Sequence, residues 1–590
     1  MMSDILISRD ELNFLLWDWL RLDDMFEGTC EGIDRVMAEE ILDLSERLAA
    51  EAFLSHYKES DRQEPYMDAD GAHALPAIGA ALRRYAELGL FSASFSPDFG
   101  GMGLPRLLAN ASFAQFLAAN VATAAYPMLT TANARLIATF GSAAQIETFA
   151  LPQIAGRWFG TMCLSEPQAG SNLADIATRA VPDGSEELGA RYRLTGHKMW
   201  ISGGDHDLAD NIVHLVLAKV PDAQGRPVPG TKGISLFIVP RALPNGDRND
   251  IVIAGLNHKM GYRGTTNCLM NLGEGVHRPG GAAGAIGWMV GEPGQGLPQM
   301  FRMMNEARIG VGLGAAALGY RGYRLAVRYA QERVQGRPPG ATDPAAPIME
   351  HPDVKDMLLA AKCYAEGALA LVLYCARLSD EAARGDEDAE ALLGLLTPIA
   401  KTWASEWGLA ANDIAIQVHG GYGYTRDFDV EQLWRDNRLN PIHEGTTGIQ
   451  SLDFVGRKLL RDHGAALALL RARVADTCCR AQSSLPEQAV MLAAWWDRLS
   501  DAYDVLAAYG PEAAAVHATS VLRAFGHGVS GWLWLDRALL CTGTPDDPFR
   551  GGKLWASRYF MERELPRIDA WLRPVESGSD LLATLPSSFI

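Results

Sequence analysis

A mainly α-helical chain with a central all-β domain is the fold class this 590-residue sequence predicts, and three observations carry the expectation. Up to about residue 158, apolar residues recur every three to four positions, as in "GIDRVMAEEILDLSERLAAEAFL" and "LPAIGAALRRYAEL". From Met162 to about Leu272 the pattern becomes short β-type runs, "RYRLTG", "KMWIS", "NIVHLVLAKV", "GISLFIVP" and "DIVIAGL", parted by Gly, Asp, Pro and Asn clusters. Helical periodicity then returns in "LPQMFRMMNEARIGVGLGAAALGYRGYRLAVRYAQERVQ" and persists to about Asp462, before a last helical block.

Single cores stop growing well below this length, so the chain must divide. The changes of pattern place the boundaries at 1–158 for a helical domain, 159–280 for the β domain, 281–464 for a helical bundle and 465–590 for an additional helical domain. Gly-rich "PDFGGMGLPRLL" reads as a loop between helices. "GAAGAIGWMVGEPGQG" lacks a preceding strand and GxGxxG spacing, so it reads as a flexible connector and not as a dinucleotide site. In the last block the face Leu492, Trp495, Leu499, Tyr503, Leu506 repeats at helical spacing and stops at Gly510-Pro511.

A formal charge of −18, from 53 basic and 71 acidic residues, disfavours a broad nucleic-acid or anionic-membrane surface, because those partners need a positive footprint. An anionic ligand must be met by a few local arginines. Hydrophobic content of 48% against 21% charged residues describes a well-buried globular chain. No apolar run approaches the roughly 18 residues of a membrane span, so no integral membrane association is expected. The eight cysteines show no CxxC and no His/Cys metal spacing, which reads as reduced core thiols with no metal site. "MMSDILISRDELNF" lacks a basic-then-apolar signal pattern, and a cytoplasmic location is the default.

Three stretches suit chemistry. "CLSEPQAGSN" is a Pro-Gly loop at the entry to the β domain, where Gly170 allows close backbone approach and Ser165 and Ser171 can donate to a polar ring edge and to a phosphate. In "GHKMWISGG" the strand period of two puts Trp200 and Ser202 on one face, a flat aromatic wall beside a hydroxyl. In "LNPIHEGTTGIQ" the carboxylate of Glu444 stands between a proline-broken approach and a Gly-Thr-Thr-Gly run opening a helix, a setting that suits a base held against a ligand.

The ordered set "MCLSEPQAGSN", "HKMWISGG", "NEARIGVGLGAAALGYRGYRLAVRYAQERVQ", "QVHGGYGY" and "IHEGTTGIQ" resembles the acyl-CoA dehydrogenase family over roughly residues 80–460. The tail resembles that of the larger bacterial members with a fourth helical domain. The resemblance implies a barrel-like middle domain, FAD at the junction of the β domain and two helical domains, a fatty acyl-CoA substrate and an electron-transfer flavoprotein as acceptor. It also implies site residues. Met162, Cys163, Leu164, Ser165, Gly170 and Ser171 would line the flavin, with Ser171 also near the substrate, and Trp200, Ile201 and Ser202 would cover the ring. Arg333 and Gln335 resemble the pair that reaches the FAD of a neighbouring subunit, and Gln417, Gly420 and Gly421 the loop for its adenosine end. Thr446 and Gly448 match cofactor-contacting positions, and Asn305, Arg308 and Gly445 match substrate-contacting ones. Smaller members pair two dimers through their helical domains, and the extra block resembles a cover over that surface, so a homodimer is expected.

Oxidising a saturated acyl thioester means removing an α-proton while a hydride leaves the β-carbon for flavin N5, so a base must face the flavin across the substrate. Glu444 is that base in this reading, its own amide polarising the thioester carbonyl as the resemblance implies. Three positions depart from the family: Asn172 for a common aspartate, Val334-Gln335-Gly336 after Arg333, and His443 for a frequent tyrosine. Two rivals stay open, an acyl-CoA oxidase and a nucleic-acid-associated flavoprotein of the same fold.

Overall fold

Two compact units divide the chain, one of Met1–Glu39, Pro105–Ala118 and Arg308–Ile590, the other of Glu40–Leu104 and Ala119–Ala307. The computed structural model describes residues 5–26, 32–222, 224–226, 228–340 and 345–590. Met1–Asp4 and Cys30 lie outside these residues.

The second unit holds the β domain. A small antiparallel ribbon, β1 (Tyr66–Met67) and β2 (Ala72–His73), precedes the main sheet of β3 (Trp158–Cys163), β4 (Arg179–Glu186), β5 (Gly189–Ser202), β6 (Asn211–Lys219), β7 (Ile234–Pro240), β8 (Ile251–Leu256), β9 (Asn267–Leu272) and β10 (Ala285–Met289). The strands run in the order β10-β7-β6-β4-β5-β9-β8, β3 pairs in parallel with β6, and β10 also pairs with β5, so part of the sheet closes on itself. Leu194, Val216, Phe237, Met270 and Met289 fill one core of the domain. Val213, Leu215, Leu236 and Ile238, on the alternate positions of β6 and β7, pack instead with Phe149, Ile154 and Met300 of helical segments. Both strands are buried on both faces, which is why they read as near-continuous apolar runs.

The expected connector "GAAGAIGWMVGEPGQG" is not one: its middle is the buried strand β10, and the β domain extends to Met289 instead of ending near 280. Asn249 and Asp250 hold it from far along the chain. The Asn249 Oδ1 accepts from Ile286 N at 2.8 Å, and Asp250 Oδ2 accepts from Gly284 N at 2.9 Å. Gly287 is there for contact, since a Cβ on it would stand 2.8 Å from Val239 Cγ2 and 2.9 Å from Leu194 Cδ1.

Two helices, Arg106–Phe140 and Pro352–Ala383, are long and apolar enough to cross a membrane by length and composition, which the sequence reading did not expect. Their apolar windows are 83% and 89% buried by protein, as core helices are. The first kinks at Asn120, whose amide Nδ2 reaches Phe53 O and Ser60 Oγ at 3.3 Å while its Oδ1 accepts from Thr123 N at 3.2 Å and recaps the helix.

In the first unit, Pro352–Ala383 and Glu387–His419 run against each other, and the helix Ala518–Leu539 of the C-terminal block packs on both. The helix Pro486–Tyr509 buries Leu492, Trp496, Leu499 and Leu506 and ends at Gly510 at φ +78°. Trp495 and Tyr503, expected on the stripe, are only half-buried; Trp496 takes the inward place and donates to Gly528 O at 3.2 Å.

The N-terminal segment, expected within a helical domain 1–158, belongs with the C-terminal helices. Trp19 stacks on Tyr374 and donates to Asp536 at 2.8 Å, Arg550 pairs with Asp18 at 2.7 Å, and Phe14 meets Phe549 edge-on. Between these contacts lies a closed charge cluster: Lys553 bonds Glu11 and, at 2.7 Å, Glu366, which also takes Lys362. Burial opposes the charge of Glu366, but Lys362 and Lys553 hold it ionised down to about 2. Burial and the Glu366 charge push Glu11 up. Removing one partner from such a group leaves an uncompensated charge in apolar surroundings. Lys553→Met is therefore expected to cost about 3 kcal/mol, read as a lower melting temperature in calorimetry, whereas Arg558→Met at an exposed pair should leave the melting temperature close to the parent's.

Candidate active site

Glu444 has φ +52°, a left-handed conformation that a side chain rarely adopts, and Gly445 follows at +90°. The turn is fixed from three directions. The Glu444 carbonyl accepts from Gln450 Nε2 at 3.0 Å and the Gly445 carbonyl from Lys401 Nζ at 2.8 Å. Thr446 caps the helix Thr447–Leu452 by accepting from Ile449 N at 3.4 Å, and Thr447 N donates back to Pro441 O at 3.2 Å. On the approach, a chain of amides runs from Asn412 Oδ1 through Asn437 and Asn440 to His443, with links of 2.7, 2.8 and 3.0 Å. Asn437 and Asn412 also bond the carbonyls of Ala315 and Leu318, so the ladder ties the turn to two long helices.

Burial raises the pKa of the Glu444 carboxyl, with Lys401 and Arg308 opposing that rise. A carboxyl raised towards neutrality is a stronger base once ionised. His443, at the position where the family frequently has tyrosine, is pushed down to about 3 by burial and by Lys401, so it stays neutral and acts as a link in the amide ladder. His419 is likewise packed, stacked on Tyr329 at 4.3 Å with Nδ1 2.7 Å from Ala415 O. Arg308, expected at the substrate, is buried and paired with Asp453 at 2.9 Å. Asn305 is half-buried.

In the other unit, the loop after β3 and the end of β5 form a second set. The strand pairing of β5 with β9 slips between Lys198 and Ile201, and Trp200 sits in that bulge at φ +64°. Ile201 turns inward, while Trp200 is 61% exposed and Ser202 half-buried, so the two outward residues do lie either side of an inward one. The simple alternation that predicts this is broken one step earlier, where Lys198 also points inward. Met199 N donates to Ser165 O at 3.1 Å, tying the bulge to the loop, and Ser202 Oγ accepts from Asn267 at 3.1 Å. Met162, Leu164 and Ser165 are half-buried, Cys163 is buried, and Gly170 and Ser171 are exposed. Asn172 caps the next turn through Ala174 N at 3.2 Å and bonds Asp175.

An exposed indole on a strained bulge, with hydroxyls at Ser165, Ser171 and Ser202 and no neighbour within 4 Å of a Cβ at Gly170, fits a planar ring with a polar edge and a phosphate tail. On the helical unit, Thr446 and Gly448 lie in the turn just described. Arg333 and Gln335 are exposed and bonded to each other at 2.9 Å, and Gln417, Gly420 and Gly421 form an exposed corner with open space at both glycines. Seven cysteines are free, and no group of metal ligands is present, among the described residues.

Sequence reasoning missed Glu166 and Lys198, which hold the loop together. Both are buried, and Glu166 accepts from Lys198 Nζ at 2.9 Å, Thr178 Oγ1 at 2.6 Å, Ala177 N at 2.6 Å and Gln168 at 2.8 Å. Lys198 also donates to the carbonyls of Leu164 and Leu217. The inward position of Lys198 in an otherwise alternating strand was the available signal. Burial resists the Glu166 charge, yet Lys198 and the amide and hydroxyl donors bring its pKa down to about 2. A lowered folded pKa adds stability above the unfolded value, 4.5, that fades as pH falls towards about 2. Glu166→Gln should cost about 3 kcal/mol at neutral pH, and chemical denaturation of the variant should show less loss of stability than the parent on acidification across that window.

Four family models cover the chain: the acyl-CoA dehydrogenase N-terminal domain at 38–157, its middle domain at 161–273, its C-terminal domain at 294–460, and an acetyl-CoA dehydrogenase C-terminal-like domain at 470–586. A butyryl-CoA dehydrogenase of Syntrophomonas wolfei is 31% identical over 96% of both chains. A 3-methylmercaptopropionyl-CoA dehydrogenase of Ruegeria pomeroyi is 36% identical over 77% of this chain and 76% of its own. An acyl-CoA dehydrogenase of Bacillus anthracis solved with FAD shares the fold, with a TM-score of 0.74 at 20% identity over 98% of this chain and 93% of its own. With four domains matched in family order between residues 38 and 586, the chain belongs to the acyl-CoA dehydrogenases, which are FAD-dependent oxidoreductases.

Proposed function

We propose that the protein dehydrogenates a fatty acyl-CoA thioester to the trans-2-enoyl-CoA, with Glu444 as the base. The observation that carries this reading is the left-handed turn, bonded through the Glu444 and Gly445 carbonyls, that holds Glu444 where burial raises the pKa of its carboxyl. The two relatives compared above are named for CoA thioesters, which supports the substrate class.

FAD, when bound, supplies the acceptor for the hydride that leaves the β-carbon. Trp200, Ser165, Ser171 and Ser202 of the β unit would hold it. Glu444 takes the α-proton onto its carboxylate, and its amide N–H would donate to the thioester carbonyl where negative charge develops. His443, whose pKa burial and Lys401 lower to about 3, is too weak a base to compete with the carboxylate for that proton.

The same reading makes the protein a cytoplasmic homodimer of fatty acid β-oxidation that passes its electrons to an electron-transfer flavoprotein. Support for the dimer comes from Arg333, Gln335, Gln417, Gly420 and Gly421, all exposed in the single chain and all at positions that the family resemblance assigns to a neighbouring subunit's FAD.

Glu444→Gln keeps the size and hydrogen bonding of the side chain and removes its basicity. The variant should retain bound yellow FAD while anaerobic bleaching by acyl-CoA slows by roughly 1,000-fold or more; bleaching at the parent's rate would move the base elsewhere. Light scattering on the eluting protein should give about twice the 63.9 kDa chain mass, and a tetramer or a monomer would overturn the dimer.

A further inference from the structure

Three lysines are buried among the described residues, and two of them follow the usual rule that an interior ammonium holds a carboxylate: Lys198 has Glu166, and Lys553 has Glu11 and Glu366. Lys401 is different. Fully buried in the helix Glu387–His419, it donates at 2.8 Å to a backbone carbonyl, that of Gly445, and to no carboxylate. A neutral amide could make that bond without the cost of an interior charge, as Gln450 does at the neighbouring Glu444 carbonyl. The positive charge therefore calls for a reason of its own.

The other charged groups around the turn have partners of their own, and Asp453 takes Arg457 at 3.6 Å as well as Arg308. Arg308 lies against Asp453 at 2.9 Å. Glu406, on the same helix as Lys401, takes both Arg523 nitrogens at 2.9 Å and the hydroxyl of Thr447 at 3.2 Å. His443 is neutral. Lys401 is the buried cation here that bonds no carboxylate, and the turn it bonds carries one carboxyl, Glu444.

The geometry points to Lys401 as the positioning residue of the base: its ammonium fixes the left-handed Glu444-Gly445 turn through the Gly445 carbonyl and, as a buried cation bonded to no carboxylate, keeps the Glu444 carboxylate charged and ready to take a proton. Gln450 shares the first task and has no part in the second. Electrostatics agree in sign on both sides, since Lys401 opposes the rise in the Glu444 pKa, and Glu444 opposes the fall that burial imposes on Lys401, to about 8. The two groups then titrate as a pair, with the base competent while Glu444 is ionised and Lys401 still protonated.

This role rests on Glu444 being the base, and the test separates the two ideas. The carboxyl of Glu444 is titrated by infrared difference spectroscopy in the full-length FAD-loaded protein without substrate, the Glu444→Gln protein giving the reference that isolates its band. In Lys401→Met the midpoint should rise by about one pH unit; in Lys401→Arg, which keeps the charge, it should stay with the parent. Stopped-flow reduction by butyryl-CoA should follow, with the acid limb moved upward in Lys401→Met, the plateau about tenfold lower, and FAD content unchanged. Gln450→Met should lower the plateau without moving the limb. Should Lys401→Met fail to fold, Lys401→Gln, which keeps a donor and removes only the charge, is read in the same way. An unmoved Glu444 midpoint in the folded, FAD-loaded variant overturns the role of Lys401, whereas a parent enzyme that acyl-CoA never reduces overturns the proposed reaction and leaves the infrared result standing.

Discussion

Holding a residue with a Cβ in the left-handed region costs about 1–2 kcal/mol relative to ordinary backbone, so such a residue persists only where its surroundings leave it no alternative. At Glu444 they leave none: both flanking carbonyls are bonded by buried side chains, the residues behind are capped, and the residues ahead are held by an amide ladder. Relaxing φ to a negative value would swing the Glu444 carbonyl off Gln450 and the Gly445 carbonyl off Lys401, stranding an interior ammonium. The arrangement of the helices Glu387–His419 and Thr447–Leu452 is thus coupled to where one carboxyl points, which is what a positioned base demands.

The β unit uses the same device at Trp200. Five residues other than glycine have positive φ among those described, and two of them, Trp200 and Glu444, are the two centres of the proposed chemistry. Each stands next to a buried lysine that bonds backbone carbonyls, Lys198 for the loop beside the bulge and Lys401 for the turn. The difference between them is instructive. Lys198 has an ionised partner of its own in Glu166, which makes it a structural clamp; the carboxyl beside Lys401 is one whose charge would have to change during the proposed reaction.

How much of this is legible in the sequence follows from the range of the interactions. Local signals read well: the stop at Gly510-Pro511, the Thr446 cap after Pro441, the β-type runs of β6 and β7, and the outward placement of Trp200 and Ser202. Features made by residues distant along the chain did not read. Strand β10 looks like a linker because glycines flank it, and only its pairing with β5 and β7 and its bonds to Asn249 and Asp250, more than thirty residues earlier, make it a strand. The membership of the N-terminal segment depends on Lys553 and Asp536, more than five hundred residues away. Lys401 carries no motif of its own, because a lysine within an apolar helix reveals its direction only once the helix has a partner.

The additional C-terminal block bears on the turn as well as covering the bundle. Arg523, on its helix Ala518–Leu539, makes a two-nitrogen bond to Glu406, and the same carboxylate takes the Thr447 hydroxyl one residue after the helix cap. Phe525 of that helix meets Phe454, edge to face at 5.5 Å, just past the turn that pairs Asp453 with Arg308. The block therefore supplies the partner of Glu406: without Arg523, Glu406 would compete with Glu444 for the lysine's field. In a chain with this architecture, the extra helices and the proposed base are not independent parts, because Arg523 of the block and Thr447 of the turn share the carboxylate of Glu406.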